Sequence, residues 1–202
     1  MPNLHRSLAR PAGLVLALFI VTLALSSCAK RTDETTTTST TTTPETTQTA
    51  SATPTDAEIA ATVVAANDTD IENGKLALEK STNADVKQFA NEMIAAHTQL
   101  NQQGSALLTK LGVTPADNPT STSIKAGGES SRATLKGLSG ADFDKAYVNA
   151  EVDLHQAVLD QLDNTLIPSA QNAELKTLLQ QARPTISAHL DHAKSIKAKL
   201  GA

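Results

Sequence analysis

Four long segments of the chain place apolar residues at helical spacing, and this pattern constrains the fold more than any other feature. They run from about 56 to 80, 83 to 111, 141 to 166 and 172 to 200. No segment sustains the period-two alternation of a half-buried strand. The pattern therefore predicts an all-α fold.

The connections between these segments predict how the helices are arranged. Residues 81–83 and 167–171 are short links, so each flanking pair of helices should be antiparallel. Residues 113–139 form a long connection with only a weak amphipathic stretch near Leu135 and Leu138, where we expect a short extra helix. Two antiparallel pairs joined by one long crossover make a ferritin-like four-helix bundle.

The N-terminus has the features of a bacterial lipoprotein. Basic residues precede an apolar stretch from 13 to 25, and Leu25-Ser26-Ser27-Cys28 then resembles a lipobox. We expect residues 1–27 to be a signal peptide and Cys28 to carry the lipid. The apolar stretch is too short for the alternative, a membrane span of about 20 residues. The residue after the cysteine is Ala29, not the aspartate that would act as an inner-membrane retention signal. We therefore expect an exported protein on the outer membrane, facing the periplasm.

Residues 28–55 are predicted to be a disordered tether, because the stretch is rich in threonine and has no large apolar side chain to bury. The folded domain should then span residues 56–202. A formal net charge of −4 argues against nucleic acid as a partner. We expect the lipid on Cys28 to attach the protein to the membrane. The sequence does not decide whether the chain forms a homo-oligomer or binds a protein partner.

Three histidines lie on three different predicted helices: His97, His155 and His189. Histidine is the commonest metal-ligating side chain, so these residues, with Glu72, are the candidate ligands of a divalent transition metal. The alternative is that each imidazole satisfies a buried polar contact. The core polar residues available for such contacts are Tyr147, Glu151 and Asp70.

Two features of the sequence weigh against metal chemistry. A di-iron bundle needs Glu-x-x-His on two helices, but Ile94, Val152 and Ile186 precede the three histidines by three positions. Counting residues from the helix ends places His97 and His155 in one layer and His189 several ångströms from it. We therefore expect a non-catalytic binding or stress-related module with no catalytic residue, and a mononuclear, redox or storage metal bundle is the alternative.

Several short motifs in order resemble a known family. They are Gly74-Lys75-Leu76-Ala77, Val86-x-x-Phe89-Ala90-x-x-Met93-x-x-x-His97, Leu138-Ser139-Gly140-x-x-Phe143-Asp144-x-x-Tyr147, Glu151-x-x-x-His155 and Arg183-Pro184-x-x-x-x-His189-Leu190. Over residues 56–200 the chain resembles the bacterial exported domain of unknown function labelled "predicted outer membrane protein". The resemblance implies a ferritin-like helical fold and no settled activity. The family's characteristic residues correspond to Glu72, Met93, His97, Phe143, Asp144, Tyr147, His155, Pro184 and His189.

Overall fold

The computed structural model describes residues 53–202, and this part of the chain is an all-α bundle of five helices. The prediction of an all-α bundle is confirmed. The predictions for the signal peptide, Cys28 and nearly all of the tether lie outside the described residues. The helices are α1 (Asp56–Lys80), α2 (Ala84–Leu111), α3 (Pro119–Lys136), α4 (Gly140–Gln161) and α5 (Ala173–Leu200).

Local capping sets where the long helices begin. Thr55 and Glu58 form a capping box at the start of α1. Asn83 and Asn172 each accept two backbone N–H bonds at the starts of α2 and α5. Gly112 ends α2 with a φ of 65°, which glycine adopts without steric cost. Helix α4 continues through a π-helical turn, Leu162–Leu166, and a last turn, Ile167–Ser169.

The crossover helix α3 is longer than predicted. Asn118 and Ser121 cap its start, and Pro119 occupies its first position. It packs along α1, but its buried residues are Ser121, Gly128 and Leu135. Small and polar residues provide little apolar periodicity, so the apolar pattern of the sequence predicts a shorter helix than the one that forms.

Gly127 and Gly128 provide a test of this packing. A Cβ on Gly128 would lie 2.7 Å from Thr69 Cγ2, whereas one on Gly127 would meet no atom within 4 Å. Gly128→Ala should therefore lower the free energy of unfolding by about 1–3 kcal/mol. Gly127→Ala should raise it by up to about 1 kcal/mol through helix propensity alone. Urea unfolding measures both; equal effects would show that α3 does not contact α1 through Gly128.

The core consists of two apolar clusters with a polar layer between them. One cluster, with Phe89, Phe143 and Tyr147, lies where α2 and α4 begin. The other, with Ile59 and Ile186, lies towards the start of α1. Along each of the four long helices, buried polar side chains fall between residues of the two clusters. None of the helices between residues 53 and 202 is long and apolar enough to cross a membrane.

Candidate metal centre

The polar layer brings His97 of α2, His155 of α4 and His189 of α5 together. Their ring centroids are 5.4 to 5.7 Å apart. One ligand atom from each ring lies within 4.8 Å of those from the other two. All three side chains are buried. The imidazoles thus converge on one centre, although they come from three helices.

The expectation that His189 lies apart from the other two was wrong, because the difference in height along the two helices is small enough for the side chains to span. Lys199 Nζ donates to Asp85 Oδ2 at 2.9 Å, so positions 199 and 85 lie at a similar height. His189 and His97 lie ten and twelve residues from that contact. Two residues correspond to about 3 Å along a helix, which the side chains can bridge.

Hydrogen bonds determine which imidazole nitrogens keep a free lone pair. His155 Nδ1 lies 2.9 Å from the carbonyl oxygen of Glu151, which can only accept, so Nδ1 carries the proton. His97 Nδ1 donates to Asn67 Oδ1 at 2.9 Å. The Asn67 amide is oriented by its Nδ2, which donates to Asn101 Oδ1. In both histidines, Nε2 therefore keeps its lone pair.

Burial keeps these imidazoles neutral. Desolvation, together with the neighbouring His155 and His189, lowers the pKa of His97 to about 2. Desolvation also lowers the pKa of His155 to about 4, although its hydrogen bond to the Glu151 carbonyl opposes this. The pKa of His189 is lowered by burial and partly restored by Glu92. At neutral pH all three rings are in the form that binds metal.

Two buried carboxyl groups lie beside the imidazoles. Asp70 Oδ2 is 3.5 Å from His97 Nε2, and Glu151 Oε2 is 3.7 Å from His155 Nδ1. Desolvation raises the pKa of Glu151 to about 7. Desolvation and repulsion from Glu151 raise the pKa of Asp70 well above its usual range. Without a nearby cation, the pair therefore retains a proton at neutral pH.

Buried polar atoms without a hydrogen-bond partner are concentrated in this cluster. Within residues 53–202, five of the seven such side-chain atoms belong to it: Asp70 Oδ1, His97 Nε2, Glu151 Oε2, His155 Nε2 and His189 Nδ1. Buried polar groups in native proteins are nearly always paired. A proton shared by the two acids can satisfy their oxygens, but it leaves the three imidazole nitrogens unpaired.

Glu72, predicted as a fourth ligand, does not join the cluster. Its side chain is 52% exposed and forms an ion pair with Lys75 at 2.7 Å. The inward face of α1 instead consists of Asn67, Asp70 and Asn73, which are spaced by three residues. The sequence contained a signal for this face, since a polar middle is unusual in a core helix.

Three supporting contacts were not anticipated from the sequence. Asn73 Nδ2 donates to Glu151 Oε1 at 3.1 Å, and Asn67 orients His97. Glu92 lies 3.9 Å from His189 Nε2 and 2.8 Å from His192 Nδ1. In each clustered imidazole one nitrogen, His97 Nε2, His155 Nε2 or His189 Nδ1, has no hydrogen-bond partner.

The fold and this layer define an all-α helical-bundle protein with a buried cluster of histidines and acids. The chain belongs to a family described as a domain of unknown function, DUF4142, whose model matches residues 41–196. The predicted membership of a domain-of-unknown-function family is thus confirmed. No curated protein and no solved structure matches the chain.

Proposed function

We propose that the domain binds one divalent transition metal ion through His97, His155 and His189. The observation that carries this proposal is that three neutral, buried imidazoles each have an unpaired nitrogen within one cluster. Three histidines with an open fourth position form a common zinc-binding set. A metal ion would supply the partner that all three nitrogens need.

The distances fit an ion after a modest closure of the cluster. Zinc–nitrogen bonds of about 2.0–2.1 Å place tetrahedral ligands about 3.3 Å apart. The ligand atoms lie within 4.8 Å of one another, so ring rotations need to bring them closer by at most about 1.5 Å. Asp70 Oδ2 lies 3.5 Å from His97 Nε2, so its carboxyl is available as a fourth ligand. Once deprotonated, Asp70 and Glu151 together balance the charge of a buried divalent ion.

The wider role that we propose is that of a non-catalytic binding module of a cell-envelope lipoprotein. The two antiparallel helix pairs and the long connection between them support a ferritin-like arrangement. No Glu-x-x-His motif precedes the three histidines, so the proposal is a mononuclear site, not a di-iron one. Metal storage and redox exchange are both compatible with such a site.

Equilibrium dialysis against zinc, followed by elemental analysis, tests the metal site. The chain should carry Cys28→Ser, which removes a competing thiol. We expect one zinc per chain, and none after His97→Ala or His189→Ala. His192→Ala is the matched control, because it removes an imidazole of the same helix that lies outside the cluster. Zinc retained by both cluster variants, or none in the parent, would leave the imidazoles as structural polar contacts.

The lipid anchor is a separate proposal with its own test. Metabolic labelling with a fatty-acid analogue should label the wild type. Cys28→Ser should remove the label and release the protein from membranes, because Cys28 is the chain's one cysteine. Equal labelling of the two proteins would rule out this anchor.

A further inference from the structure

A cavity of about 450 Å³ lies in the second apolar cluster, towards the start of α1. Its volume falls in the range of small-molecule sites, about 300–1,000 Å³. All five helices contribute to its wall, and none of the described residues that line it is charged. The wall is mainly aliphatic, with side chains such as Val63, Leu100, Leu108, Ile124, Leu162 and Leu178.

Gly104 keeps this cavity open. Positions 100, 104 and 108 share one face of α2, and Leu100, Gly104 and Leu108 all line the wall. A Cβ built on Gly104 would meet no atom within 4 Å. Glycine in a helix interior costs stability relative to alanine, yet no close neighbour requires it here. The space beside Gly104 is therefore part of the cavity.

Two amides provide a polar end to the apolar space. Asn67 and Asn101 both line the cavity. Asn67 Nδ2 donates to Asn101 Oδ1, and Asn101 Nδ2 donates to Asp68 Oδ1, both at 2.8 Å. Each amide nitrogen has a second hydrogen, and Asn101 Oδ1 has a second lone pair. These groups suit a hydroxyl or carbonyl, whereas a charged group would find no counter-charge in the wall.

We propose that this cavity binds an uncharged aliphatic chain that ends in a hydroxyl or carbonyl group. The chain would occupy the aliphatic part, and its polar end would meet Asn67 and Asn101. Asn67 also accepts from His97 Nδ1, so the two sites are neighbours. The cavity does not require a metal, and either proposal can fail without the other.

Displacement of the uncharged fluorescent probe N-phenyl-1-naphthylamine by 1-decanol tests this site, with the full chain carrying Cys28→Ser. We expect decanol to displace the probe from the parent and from Gly127→Ala, a control outside the cavity wall, at similar concentrations. Gly104→Leu should fill the cavity and weaken decanol binding at least tenfold. Ala182→Leu fills it from α5 and should do the same. Decyltrimethylammonium should bind at least tenfold more weakly than decanol.

Circular dichroism establishes that each variant is folded. Zinc content, measured in parallel, keeps this test separate from that of the metal site. A parent that shows no saturable probe binding would overturn the proposal. Undiminished decanol binding in folded Gly104→Leu and Ala182→Leu would also overturn it. Equal affinity for decanol and decyltrimethylammonium would show that the site does not select an uncharged ligand.

Discussion

Zinc should stabilise the chelator-treated chain by about 4 kcal/mol when free metal reaches about 1,000 times its dissociation constant. The reason is mass action, because only the folded chain brings His97, His155 and His189 together. For a domain of this size, the gain corresponds to a rise in melting temperature of roughly 10 °C. Thermal melts in chelator and in buffered zinc measure the shift.

Histidine variants separate a metal site from a structural cluster in the same melts. His97→Ala and His189→Ala should lose the zinc-dependent shift. His97→Ala should also cost about 1–3 kcal/mol in chelator, because Asn67 Oδ1 loses its buried donor. His192→Ala should keep the shift, since that ring bonds to Glu92 outside the cluster. A full shift in His189→Ala would contradict the three-histidine site.

Glu151→Gln should stabilise the metal-free protein at pH 8 and have a much smaller effect at pH 5. Burial raises the pKa of Glu151 from an ordinary value of 4.5 to about 7. Below pH 4.5 the protonated carboxyl therefore makes its full contribution to the free energy of unfolding. This contribution is lost as the pH rises to 7, at about 1.4 kcal/mol per pH unit. Glutamine resembles the protonated acid at every pH, so the variant avoids this loss.

The same substitution should weaken zinc binding at least tenfold, because it removes one of the two charges that balance the ion. Urea unfolding in chelator at pH 5 and pH 8, with competition for zinc at pH 8, measures both effects. Glu72→Gln is the control, since that carboxylate is exposed and paired with Lys75; it should change neither quantity. A stability gain that is equal at both pH values would refute the buried-carboxyl explanation.

The part of the fold that depends on local signals was predictable. Helices α1, α2 and α5 begin at capping residues, and α2 and α5 also carry strong apolar stripes, so their bounds match the sequence closely. Helix α3 was underestimated because it packs through Ser121 and Gly128, which produce no apolar periodicity. Glu72 was mistaken for a ligand because α1 has polar residues on both faces, and composition alone does not indicate which face is buried.

The sequence by itself determined the all-α class and the inward positions of His97 and His189, with His155 alongside the inward face of its helix, because helical periodicity is a local property. It did not determine that the three imidazoles meet. The relative height of two helices depends on contacts between distant residues, such as the packing of Phe89 against His192. Gly74 likewise lets α1 approach α2, since a Cβ there would lie 3.0 Å from the Ala90 carbonyl. Only the tertiary structure therefore decided that the buried polar residues form one site.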